Sequence, residues 1–251
     1  MRFLRIIFWG GLLLAGGIFF LVKKNGLNVE FNQDEESVHV RTSDPVAWDE
    51  LRDFSRLELR GAYKVIIHES SDSRVEIEAS EKAKSELEAS VDGSTLVVEM
   101  EDHWFKHLKE EIILHIYADR LESIDVAGAT EMTNEGTLHG ESLDIEVSGA
   151  GKINLNVELE DLDAEITGAG QYITRGTTES VQFEIAGAGD VAAFDLIASH
   201  VEVEISGAGS AKVHATESLS TQISGAGNVV YDGNPSNTSQ QISGAGSVRK
   251  R

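Results

Sequence analysis

Five carboxylates occupy one place in a recurring pattern. Asp125, Glu146, Glu165, Glu184 and Glu204 each stand three residues before a glycine, and Asp144, Asp163 and Glu202 stand two residues earlier still. Stacked at strand spacing, such carboxylates repel by roughly 1 kcal/mol each at water-like dielectric, and less in salt. A hard divalent cation such as Ca²⁺ takes oxygen ligands and would relieve that repulsion. The column is therefore a candidate metal face of low affinity, or a face for a cationic partner. The plainer reading is solvated surface that keeps a rod from associating sideways, and no Asp-x-Asp-Gly calcium loop is present. His103 and His107 are four apart. On a helix they would share a face, but no third ligand is placed beside them. A loop tip that exposes Trp104 and Phe105, as a partner patch or as cover for one side of the fold, is the simpler expectation.

Other chemistry is poorly supplied. There is no cysteine, so disulfides, thiolate metal sites and cysteine nucleophiles are absent. The formal net charge of −22 excludes the basic footprint that general nucleic-acid binding needs. Sugar-cleaving enzymes need paired carboxylates in a groove with aromatic platforms. Carboxylates are so plentiful here that no pair stands out, aromatics are 6%, and Lys152, Arg175 and Lys212 do not recur in register. No set of nucleophile, base and orienting group emerges. Neither catalysis nor a cofactor is expected, with a polysaccharide-active enzyme as the minor alternative.

The element that positions the carboxylates is a repeat. Ser148-Gly149-Ala150-Gly151 returns around Gly168 and Gly170, Gly187 and Gly189, Gly207 and Gly209, Gly225 and Gly227, and Gly244 and Gly246, after a degenerate copy, Ala127-Gly128-Ala129-Thr130. The first glycines are 21, 19, 19, 20, 18 and 19 residues apart. A fixed period near 20 marks a solenoid. Two residues before each first glycine stand Val126, Val147, Ile166, Ile185, Ile205, Ile223 and Ile242, and the neighbouring positions alternate apolar and polar. That is a half-buried strand. Gly-Ala-Gly is a corner, where glycine permits positive φ and close backbone approach. A second short strand and a turn close each rung, giving two or three short strands per coil. Of 24 glycines, 13 fall in the seven corners, which makes them positional rather than a low-complexity tract. The expected fold is all-β: a single-stranded parallel β-helix (β-solenoid), right-handed by the general bias of parallel connections. Its last coil, with Thr238 and Gln240 facing inward, reads as a fading end.

Ahead of the repeat, Ile6 to Val22 are 17 uninterrupted apolar or glycine residues, flanked by Arg2, Arg5, Lys23 and Lys24. This is the short limit for a membrane span. No small-x-small cleavage site follows it, so an uncleaved N-terminal transmembrane helix is favoured over a signal peptide. The expected organisation is anchor or signal over 1–26 and an acidic tether over 27–53, with a short helix capped by Asp44. An N-terminal β region over 54–126 caps the solenoid, and the Gly-Ala-Gly β-helix runs over 127–251. Glu81 to Leu87 reads as one or two helical turns and Gly61 as a turn.

The strand around Phe54 to Ile67, the Gly93-Ser94-Thr95-Leu96 hairpin and the serial Ser-Gly-Ala-Gly corners ending in Tyr231-Asp232-Gly233-Asn234-Pro235 resemble the head GIN domain family over about 54–248. These are bacterial auto-transporter adhesin-type domains of unassigned function. The resemblance implies a β-helical, cell-envelope domain and brings no binding residues. The expected protein is thus a single-pass, membrane-anchored module with its C-terminal domain periplasmic or extracellular. Its expected partner is an envelope protein or glycan, and a self-associating scaffold is the alternative.

Overall fold

The computed structural model describes residues 51–100 and 111–251, and of the remainder the strands at 19–24, 27–32 and 37–41. In chain order come β1 (Phe19–Lys24), β2 (Leu27–Asn32), β3 (Ser37–Arg41), β4 (Arg56–Gly61), β5 (Lys64–Glu69) and β6 (Arg74–Glu78). A four-residue helix, α1 (Glu81–Lys84), separates them from β7 (Leu87–Asp92), β8 (Thr95–Met100), β9 (Ile113–Ala118), β10 (Ser123–Gly128), β11 (Glu131–Glu135) and β12 (Leu138–Gly149). The long strands β13 (Lys152–Gly168), β14 (Gln171–Gly187), β15 (Asp190–Gly207) and β16 (Ser210–Gly225) follow, then β17 (Asn228–Asp232), β18 (Asn237–Gly244) and β19 (Ser247–Lys250). The chain is all-β, a β-solenoid.

Period-2 alternation builds its interior. Val98, Leu59, Val126, Val147, Ile166, Ile185, Ile205, Ile223 and Ile242 lie one above the other in parallel register. All are buried except Ile242. Full burial of each branched side chain is worth about 1.5–3 kcal/mol. No single coil could bury this face alone, so stacking and folding are one event. A second column after the corner runs Val65, Met132, Ile153, Tyr172, Val191, Ala211 and Val229.

The corners do not interrupt the sheet. The Ala169 N–H donates to the Gly149 carbonyl at 2.9 Å, and the Ala188 N–H to that of Gly168 at 2.9 Å. Between one such corner and the next the chain is continuous strand, so each central coil is one strand of 16 to 18 residues rather than two or three short ones. The two corner glycines have different jobs. At Gly187 φ is +129°, and a Cβ there would meet the Gly168 carbonyl oxygen at 2.5 Å. At Gly189 a Cβ would press on Ile166 Cγ2 at 2.8 Å. The first glycine lets the backbone turn against its neighbour, and the second leaves room for the core.

The lower end departs from sequence order. β10 lies on β4, and β4 on β8, all parallel; β5 likewise lies between β11 and β9. The coil of β4 and β5 is therefore sandwiched between two coils that follow it in sequence. Gly61 is its corner, not an isolated turn: the Ala129 N–H donates to the Gly61 carbonyl at 3.0 Å. Antiparallel strands finish this end, β6 on β9 and β7 on β8, with β3, β2 and β1 continuing outward from β7. Helix α1 is capped by Ser80, whose hydroxyl accepts from the Ala83 N–H at 3.2 Å. It stops at Lys84 because Leu87 belongs to β7, where its side chain is buried.

Of the apolar run, Phe19–Val22 are strand, and residues 6–18 lie outside the described residues. Among the described residues no helix is long and apolar enough to cross a membrane. The expected cap at Asp44 and the pair His103 and His107 also lie outside the described residues. Residues 27–32 and 37–41, within the stretch expected as a tether, are β2 and β3.

Candidate functional site

Residues that alternate with the buried columns must point outward, and parallel in-register pairing puts like above like. Asp125, Glu146, Glu165, Glu184 and Glu204 form one outer column, as their spacing predicts. It continues upward as Gln222 and Gln241. It also extends one coil downward to Glu58, which sequence reasoning missed. The overlooked signal is that Glu58 stands three residues before Gly61, as the others stand before their glycines.

Charge is unevenly compensated along this column. Arg60 pairs with Glu58 and, at 3.4 Å, with Glu99. Burial, then repulsion from Glu58, raises the Asp125 carboxyl above the usual carboxylate range, and Arg60 offsets part of that. The Glu146 carboxyl is raised chiefly by Asp125, then by burial and by Glu165. Beside it run Asp144, Asp163, Gln182, Glu202 and Ser220, then Ser142, Asp161, Ser180, His200 and Ser218. Burial first, then Asp144 and Asp161, raises Asp163. A shallow depression of about 460 Å³ lies along this flank, lined by Asp161, Asp163, Gln182 and Glu202 among others.

The flank can attract positive charge and accept hydrogen bonds. It does not make a chelating cage: among the described residues no three His, Cys, Asp or Glu side chains are grouped to hold a metal ion. Ser218 Oγ lies 2.9 Å from His200 Nδ1, but His200 Nε2 is 3.9 Å from Glu217 and the imidazole is half exposed. That carboxylate is too distant to fix the ring as a base.

A second cluster was not legible in the sequence. His68 of β5 and His115 of β9 meet with Nε2 and Nδ1 3.0 Å apart. Glu135 of β11 lies 3.2 Å from His68 Nδ1, and Glu78 of β6 lies 3.4 Å from His115 Nε2. Tyr117 stacks on His68 with centroids 4.5 Å apart, and the Arg74 guanidinium sits 3.5 Å from the Tyr117 ring centre. The two histidines are 47 residues apart, and only the leap of β9 beneath β5 brings them together.

Against known proteins, a family model described as "Putative auto-transporter adhesin, head GIN domain" matches residues 53–235. Solved structures share the fold. A "putative adhesin" from Bacteroides fragilis superposes with TM-score 0.75 at 22% identity, covering 79% of this chain and 93% of that one. A "putative adhesin" from Parabacteroides distasonis gives 0.62 at 21%, covering 79% and 93%. A "putative lipid binding protein" from the same species gives 0.57 at 20%, covering 80% and 94%. Comparison with curated proteins returned no match.

Proposed function

The chain belongs to the head GIN family of auto-transporter adhesin domains, and from that premise we propose that it is a non-catalytic, adhesin-like binding module of the cell envelope. The flank of Asp125, Glu146, Glu165, Glu184 and Glu204 is its contact face, and a cationic segment of an envelope protein is its partner. The observation that carries this is the column itself: five carboxylates stand one above the next in register, and a partner that brings positive charge relieves their repulsion. Nothing in the flank supplies a positioned nucleophile and base, which favours binding over turnover. The apolar residues ahead of β1, 6–18, are the proposed site of membrane attachment, with the solenoid outside the membrane.

The test is retention of the full chain on intact cells and on immobilised basic polypeptide across a salt series. Retention that falls steeply with ionic strength is expected. Retention indifferent to salt, or on neutral glycan alone, overturns the cationic partner. Protease shaving of intact cells should release the solenoid; a protected C-terminal domain reverses its placement. A scaffold of copies meeting end to end is the second reading. It draws on β18, where every residue is exposed and Ile242 is 42% exposed.

A further inference from the structure

The His68–His115 pair plays no part in the flank. The two ring planes lie within 19° and their centroids are 5.3 Å apart. With nitrogens 3.0 Å apart, that is the geometry of rings meeting edge to edge, nitrogen toward nitrogen, not face to face. Each outer ring nitrogen faces a carboxylate, Glu135 at 3.2 Å and Glu78 at 3.4 Å. Ionised carboxylates only accept hydrogen bonds, so their placement favours hydrogen on both outer nitrogens. Two neutral imidazoles so oriented would aim lone pairs at one another across the gap. One added proton converts that repulsion into an N–H···N hydrogen bond. A zinc ion needs about 2.0–2.1 Å to each nitrogen and does not fit on the line between them.

We propose that His68 and His115 share one extra proton and form a single cationic pair clamped between Glu135 and Glu78. The chain of groups Glu135, His68, His115, Glu78 ties β11, β5, β9 and β6 together, and so fastens the antiparallel β6 to the lower coils. The other groups facing it are Glu76, opposite His115 in register, Tyr117, whose hydroxyl reaches Glu76 at 3.4 Å, and Arg74, bound to Glu76 at 3.1 Å. A second proton would make both facing nitrogens donors at 3.0 Å and force the rings apart. The pair is then a latch that loosens β6 when the surroundings turn acidic.

The test is nitrogen NMR of the histidine-labelled full chain. A through-hydrogen-bond coupling between His68 Nε2 and His115 Nδ1 is expected at pH 7, and it should vanish in His68→Gln. The melting temperature of the wild type should exceed that of His68→Gln at pH 7, by a margin that shrinks towards pH 5. Facing nitrogens that are both unprotonated at pH 7, a margin unchanged between the two pH values, or one equivalent of Zn²⁺ shifting both imidazole signals would each overturn the proposal.

Discussion

Ile185 lies directly above Ile166 in parallel register, and neither side chain is more than 1% exposed. Ile242 ends the same column at 42% exposure. Ile185→Ala should therefore cost about 2–5 kcal/mol, whereas Ile242→Ala should cost under about 1 kcal/mol. Urea denaturation of the two variants checks the ratio.

The corner glycines should separate by mechanism. Gly187→Ala combines φ +129° with a carbonyl oxygen 2.5 Å from the new Cβ, and should cost at least about 3 kcal/mol. Gly189→Ala meets the Ile166 methyl at 2.8 Å, and a side chain can shift, so about 1–3 kcal/mol is expected. Gly93→Ala, at φ +57° with no atom within 4 Å, should cost only about 1–2 kcal/mol of backbone strain. Melting temperatures in that order are the check.

Glu146→Gln should stabilise the protein at neutral pH. The Glu146 carboxyl is raised by Asp125, burial and Glu165, so its charged form is disfavoured on folding. A raised carboxylate weakens the fold above its folded value, and the loss is recovered as pH falls through that value. The variant should be more stable than wild type at pH 7, by under about 1 kcal/mol for so exposed a group. The margin should close towards pH 4 and shrink in high salt.

Asn134 crosses between coils: its Oδ1 accepts from the Asn156 N–H at 2.8 Å, and its Nδ2 donates to the Asn156 carbonyl at 3.0 Å. Asn134→Ala should cost about 1–3 kcal/mol by leaving those backbone groups unpaired. Faster hydrogen exchange at the Asn156 amide is the local readout.

What the sequence disclosed is the part that repeats. Ile166, Ile185 and Ile205, and the glutamates beside them, could be placed because pattern and register share one period. Gly61 could not be read as a corner, because Tyr63 stands where later coils have their second glycine. The Tyr63 ring is buried there, its hydroxyl donating to the Arg60 carbonyl at 2.9 Å. Glu58 was lost with that corner. His68 and His115 were out of reach for a different reason. Local pattern fixes which face each strand buries, but not that β8 and β9 slip beneath β4 and β5. That order comes from pairing between segments distant in sequence.

The most direct measurement compares wild type with the triple variant Glu146→Gln, Glu165→Gln, Glu184→Gln for retention on intact cells and on basic polypeptide. The variant should melt at the same temperature or higher and be retained at least about tenfold more weakly. A folded variant retained as strongly as wild type would contradict the assignment of the acidic flank as the contact face.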